Sequence, residues 1–399
     1  MTNANMRLFL SLYALQGLIV AYLFNFNKNY MIASGISAVD ASTVETIALL
    51  PLALKFLAGP FSDRFSPFGL GHRLPYIWLG LLAQSAGLAG LAAIDPGANL
   101  GLFAAMALLA VLGLSINDTC CDGMVIDVTP DSQRASVQGR LWTSRFLAAT
   151  LGTLTFGMWL KTPLHADRAL WVCAAFGVVP LALTLGARES AKLNDADRFR
   201  WSALEVMLKP RSLAVLAFGT LYGIVGMGVE TNLSVYYTKI GLDPTYDVGQ
   251  LGALRNFGRA AGALMLPFAW LKLSRRHVMI LGIALLAVSI LGQGLVEGRA
   301  SAGVWTFLFG IANGWCDAMF ATLAMESSSP ILAASTFALF MAVTNLSVIG
   351  DALFAFSVSQ INDFWTFVAT SVLACFALIP AWWLGKAPLP PLRDDADVA

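Results

Sequence analysis

The sequence predicts an all-α integral membrane protein whose twelve transmembrane helices form two parallel repeats of six helices. Three observations support this fold class. The 399 residues are 57% hydrophobic and 12% charged, whereas soluble domains carry about 25% charged residues. Apolar segments of membrane-spanning length recur along the whole chain. A short polar motif is also repeated at a distance of six such segments.

Twelve segments approach the roughly 20 apolar residues that a spanning helix needs. We expect spans at residues 8–26, 44–61, 74–94, 101–127, 141–160, 169–187, 213–236, 248–270, 277–296, 302–326, 334–358 and 364–385. The first should remain as an uncleaved span, because it lacks a strongly basic start and a clear small-residue cleavage site. The longest polar segment follows the sixth span. It predicts an N-terminal half at 1–187, a cytoplasmic linker at 188–211 and a C-terminal half at 212–399.

The placement of Lys and Arg predicts the orientation in the membrane. With the N-terminus in the cytoplasm, sixteen of the 25 Lys and Arg residues lie in inner segments and five in outer segments. Positively charged loops favour the cytoplasmic side. We therefore expect a multi-pass protein of the bacterial inner membrane with both termini in the cytoplasm.

The internal repeat is carried by two nine-residue stretches in the fourth and tenth spans. "INDTCCDGM" at 116–124 aligns without gaps with "IANGWCDAM" at 311–319. The identical pairs are Ile116/Ile311, Cys121/Cys316, Asp122/Asp317 and Met124/Met319. Membrane carriers are often built from such repeats, and six helices per half make the halves parallel. Asp118 has no counterpart, since its aligned residue is Asn313.

Nine charged residues lie inside the predicted spans, where each costs about 2.5–3.5 kcal/mol on insertion scales unless it finds a partner or a water-filled cavity. They are Lys55, Asp118, Asp122, Arg145, Glu230, Arg255, Arg259, Asp317 and Asp351. A salt-bridged network that only holds helices together could account for any one of them. For all nine, a polar central pathway is the better explanation. Glu45, Asp127 and Glu326 lie near span ends, where we expect water to solvate them.

The chemistry of these side chains suggests different roles. Arg255 and Arg259 are one helical turn apart and can present two guanidinium groups to one carboxylate or phosphate. Asp118 and Asp122 share a helix face, and their mutual repulsion favours a proton on one of them, although Lys55 or Arg145 would oppose this effect. The predicted substrate-binding residues are Lys55, Glu230, Arg255, Arg259 and Asp317. The predicted proton-coupling residues are Asp118, Asp122, Arg145 and Asp351, with Asp118 the first to test.

The loop between the second and third spans carries a family resemblance. In "KFLAGPFSDRFSPFGLGHRLPYIWLG" at 55–80, Gly59, Asp63, Arg64 and Arg73 resemble the cytoplasmic signature loop of the major facilitator superfamily. The resemblance implies that Asp63, Arg64 and Arg73 are gating residues that stabilise one conformation. The second-half loop "KLSRRHV" keeps basic residues without the acid, which implies a weaker contact there.

The lengthened loop, with the charged residues of spans two, four and five, is similar to the muropeptide permease and acetyl-CoA transporter branch. Folate–biopterin transporters look similar too. "HRLPYIWLGLLAQSAGLA" at 72–89 also resembles superfamily members linked to bacteriochlorophyll and light-harvesting assembly. The fold resemblance therefore leaves two functional classes open, a solute carrier and an assembly factor for pigment–protein complexes.

The remaining composition bears on other functions. The net charge of +1 gives no support to nucleic-acid binding. The five Cys show no metal-ligand spacing, so we expect neither a cofactor, a metal nor a disulfide framework. The three His are far apart and no nucleophile motif is present, so we do not expect an enzyme. We predict a monomeric secondary active transporter for a small organic anion or an amphiphilic conjugate, working by alternating access with proton symport.

Overall fold

The structure is a computed structural model of the chain. It describes residues 2–57, 61–62, 65, 71, 73–130, 133–160, 163–189, 201–242, 246–328, 333–347 and 349–386. Within these ranges, all regular secondary structure is helical. The helices form the twelve predicted spans, which confirms the predicted fold class.

The described residues of the first six spans form eight α-helices. These are α1 (Asn3–Tyr22), α2 (Lys28–Ala33), α3 (Ala38–Ala53), α4 (Leu74–Ala93), α5 (Leu100–Val128), α6 (Arg134–Trp159), α7 (Asp167–Phe176) and α8 (Val178–Leu183). A π-helical segment, Leu23–Asn27, joins α1 to α2, so the first span extends beyond the predicted 8–26 at both ends. The second span begins at Ala38 rather than 44, because the Ser37 hydroxyl accepts a hydrogen bond from the Asp40 backbone and caps α3.

The described residues of the last six spans also form eight α-helices. These are α9 (Pro210–Lys239), α10 (Tyr246–Lys272), α11 (Arg275–Gln293), α12 (Arg299–Ser327), α13 (Ala333–Leu346), α14 (Ile349–Ile361), α15 (Asp363–Cys375) and α16 (Leu378–Leu384). The eleventh span was expected as one helix over 334–358, but it consists of α13 and α14. Residue 348, between them, lies outside the described residues.

The sixth and twelfth spans break in the same way. Gly177 separates α7 from α8, and residues 376–377 separate α15 from α16. In each case a proline, Pro180 or Pro380, is the third residue of the second helix. Proline has no backbone N–H and cannot donate the hydrogen bond that would continue the preceding helix. The break recurs six spans later, so it is a second sign of the repeat.

The two halves meet mainly through their most polar helices. In the part of the chain that the structure describes, eight helical segments are by themselves long and apolar enough to cross a membrane, and α6 and α10 are not among them. These two helices pack against each other, and α6 also contacts α12. On the other side of the bundle, α13 packs against α3 and α5. Two polar residues of α6 accordingly contact the other half, Gln138 at Met325 and Thr143 at the Ala260 carbonyl.

Hydrogen bonds between the halves extend from one end of the bundle to about mid-depth. At the end predicted to be cytoplasmic, Arg134 donates to the Met325 carbonyl at 3.3 Å, and Gln138 Nε2 lies 2.9 Å from Met325 Sδ. Deeper in the bundle, Asn345 Nδ2 donates to the Leu52 carbonyl at 2.6 Å.

A pair of glycine motifs sets a close helix crossing in the C-terminal half. Gly258 and Gly262 on α10 face Gly310 and Gly314 on α12, each pair spaced as G-x-x-x-G. A Cβ at Gly262 would lie 2.0 Å from the carbonyl oxygen of Ile311. Small residues at this spacing let two membrane helices pack with their backbones in contact.

Replacing Gly262 with Ala is expected to lower the stability of the folded bundle. The new methyl group must push the α12 backbone away, and overpacking of this kind costs about 1–3 kcal/mol. The control is Gly249→Ala in the same helix, where a Cβ meets nothing within 4 Å. The apparent Tm in detergent should fall for Gly262→Ala and stay level or rise for Gly249→Ala. Equal Tm values for both variants would contradict the close crossing.

Candidate functional site

In the N-terminal half, an ion pair joins the second and fourth spans. Lys55 begins the short 3-10 turn Lys55–Leu57 after α3. Its Nζ lies 2.8 Å from Asp118 Oδ2 on α5. Gln16 Nε2 of α1 donates to the other Asp118 oxygen at 2.6 Å. Both carboxylate oxygens of Asp118 are therefore bonded, one of them to a buried cation.

Asp122, one turn further along α5, has a different environment. It is 3% exposed, and its Oδ1 accepts a hydrogen bond from the Tyr13 hydroxyl of α1 at 2.7 Å. No cationic group of the described residues lies within 4 Å of this carboxylate. The two acids that share this face of α5 are thus distinguished by their partners: Asp118 has a cation, and Asp122 has a neutral donor.

The C-terminal half repeats the contact between tyrosine and aspartate. The Tyr222 hydroxyl of α9 donates to Asp317 Oδ1 of α12 at 3.3 Å. Tyr13 lies on the first helix of its half and Tyr222 on the first helix of the other, while Asp122 and Asp317 are the acids paired by the sequence repeat.

A second internal repeat in the sequence contains these tyrosines. "LYALQGLIV" at 12–20 and "LYGIVGMGV" at 221–229 agree at four of nine positions. The identities are Leu12/Leu221, Tyr13/Tyr222, Gly17/Gly226 and Val20/Val229. This second repeat, in the first helix of each half, would have identified both hydrogen-bond donors.

Arg255 and Arg259 of α10 both contact Glu230 of α9. Arg259 Nη1 lies 2.9 Å from each Glu230 carboxylate oxygen, and Arg255 Nη2 lies 3.2 Å from Oε1. Arg259 Nη2 also reaches Asp317 Oδ2 at 3.2 Å. The two predicted anion-binding arginines are therefore already bonded to acids of their own half. We call Tyr222, Glu230, Arg255, Arg259 and Asp317 the C-half cluster.

Asp351, at the start of α14, stands apart from this cluster. Its Oδ1 accepts hydrogen bonds from Thr231 Oγ1 and Asn232 Nδ2 of α9, each at 2.8 Å. Within the described part of the chain, no cationic nitrogen lies within 4 Å of its carboxylate. Asp351 therefore contacts the two residues of α9 that follow Glu230, and it does not lie beside Asp118 or Asp122.

Arg145 of α6 lies between the charges of the two halves. Its charge interacts with the carboxylates of Asp122, Glu230 and Asp317. Its guanidinium carbon is 5.0 Å from the centre of the Trp142 ring. In the described ranges, no carboxylate lies within 4 Å of its guanidinium group and no hydrogen bond from that group is formed.

The predicted gating residues are described in part. Asp63 and Arg64 lie outside the described residues. Arg73, 2% exposed, precedes α4, and its Nε lies 3.1 Å from Asp127 Oδ2 at the end of α5. Its Nη1 also donates to Ser62 Oγ at 2.8 Å. Arg73 thus joins the start of the third span to the end of the fourth.

The C-terminal half has the same kind of contact. Arg275, at the start of α11, is paired with Glu326 near the end of α12, and Arg211 Nη2 of α9 reaches the other Glu326 oxygen at 3.0 Å. The loop "KLSRRHV" contains no acid, and the missing carboxylate comes from α12. Glu326 and Asp127 were expected to be solvated at span ends, but both are ion-paired. We call Arg73–Asp127 and Arg275–Glu326–Arg211 the two end contacts.

Comparison with known proteins identifies the family. The sequence pattern of the Major Facilitator Superfamily matches residues 8–260, which is more than half of the chain. The chain belongs to the major facilitator superfamily. The predicted resemblance is thereby confirmed, and the protein is a multi-pass membrane protein of a transporter family.

Individual superfamily members are similar at low identity. The chain is 24% identical over 296 residues to protein PucC of Rhodovulum sulfidophilum, covering 67% of this chain and 63% of that protein. It is 24% identical over 325 residues to the anhydromuropeptide permease of Escherichia coli K12, covering 77% and 62%. It therefore spans a little under two thirds of the length of these relatives. The human organic anion transporter MFSD10 (TETRAN) has a similar fold, with a TM-score of 0.74 at 14% identity over 96% of this chain and 100% of that one.

Family membership does not assign roles to the individual charges of this superfamily member. The predicted roles of the residues in the two halves, and the predicted half boundaries, stay predictions. The geometry brings Arg255, Arg259, Glu230 and Asp317 together and pairs Lys55 with Asp118.

Replacing Glu326 with Gln is expected to destabilise the protein. The substitution leaves Arg211 and Arg275, each less than one fifth exposed, without their shared carboxylate. A hydrogen bond to a charged group contributes about 1.5–3 kcal/mol. The apparent Tm in detergent should therefore fall. The exposed Glu297→Gln serves as control and should leave the Tm unchanged. An unchanged Tm for Glu326→Gln would show that the second end contact contributes little.

Proposed function

We propose that this protein is a proton-coupled symporter that moves a small organic anion or an amphiphilic anionic conjugate by alternating access. The observation that carries the proposal is the set of four cations, Lys55, Arg145, Arg255 and Arg259, gathered inside the bundle. Charged residues in spans are costly and tend to face a pathway. Guanidinium groups bind carboxylates and phosphates well.

The contacts between the halves support alternating access. They run from the predicted cytoplasmic end to about mid-depth, and both end contacts lie at that same end. With the predicted orientation, this arrangement is closed toward the cytoplasm. Movement of one half against the other would break contacts such as Arg134–Met325 and open the inner side. We accordingly propose that Arg73, together with Asp63 and Arg64, stabilises the closed inner side.

The C-half cluster and Lys55 are the proposed substrate-binding residues. In the described state, Glu230 holds both Arg255 and Arg259. An anion passing this point would compete with Glu230 for the two guanidinium groups. Such competition lets a substrate change which helices are held together, since a ligand shifts a conformational equilibrium only by differential contacts.

Proton coupling is proposed for the acids of α5, for Arg145, and for Asp351 at its separate position beside Thr231 and Asn232. The sequence favours Asp118, but Lys55 Nζ lies 2.8 Å from its Oδ2, so this carboxylate already has a cationic partner. Asp122 is buried and has no cation within 4 Å among the described residues. Burying an unpaired charge is expensive, so Asp122 gains more from carrying a proton. We therefore propose Asp122 as the coupling acid.

The names of the relatives suggest where to look for the substrate and the location. The relative from Escherichia coli is named an anhydromuropeptide permease. An anhydromuropeptide fits the proposed substrate class as an amphiphilic conjugate. A bacterial inner membrane, both termini in the cytoplasm and a monomeric carrier complete the proposal. The excess of Lys and Arg in the predicted inner segments supports the orientation.

Transport by Asp122→Asn distinguishes the coupling acid from its neighbour. In proteoliposomes supplied with labelled anhydromuropeptides and simple organic carboxylates, the wild type should accumulate a substrate when the pH gradient is imposed. Asp122→Asn should still exchange labelled for unlabelled substrate but lose this accumulation, because it cannot release a proton. Loss of accumulation in Asp118→Asn instead would move the coupling role to Asp118. Accumulation by both variants would contradict proton coupling at α5.

The second functional class, an assembly factor for pigment–protein complexes, remains a separate proposal. It is favoured by the resemblance carried by "HRLPYIWLGLLAQSAGLA", part of which forms α4, and by the similarity to protein PucC. A deletion strain separates the two classes. An assembly factor predicts altered pigment content with normal solute uptake, whereas a carrier predicts an uptake defect that the wild-type gene restores.

A further inference from the structure

We propose that Arg145 binds the anionic group of the substrate, and that Trp142 and Phe146 form the apolar surface against which the rest of the substrate packs. The inference rests on the proposed transport function and specifies its substrate class. The ligand would be an organic monoanion with a planar or apolar body, such as an aromatic carboxylate.

The first argument is the difference between Arg145 and the other three intramembrane cations. Lys55 has a carboxylate oxygen at 2.8 Å, Arg255 at 3.2 Å and Arg259 at 2.9 Å. Arg145 has no carboxylate within 4 Å among the described residues, and its guanidinium group forms no hydrogen bond with them. A half-buried guanidinium group without an acidic partner is costly. A bound anion removes that cost, while at Arg255 or Arg259 it must first displace Glu230.

The second argument is the position of Arg145. Helix α6 belongs to the N-terminal half and packs against α10 and α12 of the other half. Arg145 interacts electrostatically with Asp122 in its own half and with Glu230 and Asp317 across the interface. An anion bound at Arg145 would lie at the interface between the two halves, which move against each other in alternating access. Its binding energy can therefore depend on their relative position, as alternating access requires.

The third argument is the aromatic surface beside this cation. The Arg145 guanidinium carbon lies 5.0 Å from the Trp142 ring centre, and the Phe146 ring is 5.4 Å from that of Trp142. The guanidinium carbon of Arg259 lies 4.9 Å from the Phe146 ring centre. The Trp142 side chain is 8% exposed, and its Nε1 has no hydrogen-bond partner among the described residues. Two rings between guanidinium groups of both halves suit a flat apolar body with one anionic end.

The test measures ligand-induced thermal stabilisation of the full-length protein in detergent. The probe is 2-naphthoate, and 2-naphthamide is the uncharged probe of matching shape. We expect 2-naphthoate to raise the Tm of the wild type, 2-naphthamide to leave it unchanged, and Arg145→Gln to abolish the rise. Arg145 has no described ion pair to break and its unpartnered charge is costly, so Arg145→Gln should fold with a Tm no lower than the wild-type value.

The matched control is Arg140→Gln, an exposed arginine on the same helix, which should keep the full stabilisation. Stabilisation that persists in Arg145→Gln, or that Arg140→Gln loses equally, would overturn the proposal. So would a wild type that 2-naphthoate does not stabilise. If Arg145→Gln does not fold, p-hydroxyphenylglyoxal labelling of the wild type replaces it. Labelling of Arg145 that 2-naphthoate prevents supports the proposal, and labelling that it leaves unchanged contradicts it.

Transport of labelled 2-naphthoate into proteoliposomes separates this inference from the proposed function. Arg145-dependent stabilisation without any transport contradicts the transport function and leaves the binding site intact. Transport that continues unchanged in Arg145→Gln overturns the binding role of Arg145 and leaves the transport function intact.

Discussion

Charge pairing inside an apolar bundle is the constraint on which the arrangement of the interface depends. A buried charge is tolerated when an opposite charge or several hydrogen bonds compensate it. Lys55 therefore reaches Asp118 from the end of the second span, and Arg255 and Arg259 converge on Glu230. The glycine crossing of α10 and α12 brings helix backbones into contact and places Arg259 within reach of Asp317. Close helix packing thus also positions the side chains of this ion pair.

The two halves share a framework but differ in their cations. Each has a tyrosine on its first helix that donates to a repeat-related aspartate, Tyr13 to Asp122 and Tyr222 to Asp317. In the C-terminal half, Arg259 also pairs with Asp317, whereas the described residues provide no ion pair for Asp122. The duplicated contact therefore became a charged one in one half and a neutral one in the other. This asymmetry is the reason for proposing Asp122 as the coupling acid and Asp317 as part of the charged cluster that binds substrate.

Much of the fold was accessible from the sequence, because span length and hydropathy are local properties. The breaks in the sixth and twelfth spans follow from Pro180 and Pro380. The site was accessible in part. The sequence shows which apolar spans contain charged residues, but the pairing of these residues depends on which helix faces pack against each other. Glu326 is an example of a contact that the sequence does not reveal. A carboxylate at a span end suggests solvation, but in the fold the starts of α9 and α11 bring Arg211 and Arg275 beside it.

The proposed roles of Asp122 and Arg145 explain each other. Arg145 is the intramembrane arginine that lacks an acidic partner within 4 Å among the described residues. When Asp122 is ionised, its carboxylate and the substrate anion are both attracted to the Arg145 guanidinium group. When Asp122 carries a proton, that competition disappears and the guanidinium group is available to the substrate. Proton and anion would then bind together and leave together, which is the linkage that symport requires. No long-range conformational signal is needed, because Asp122 and the substrate anion act on the same cation.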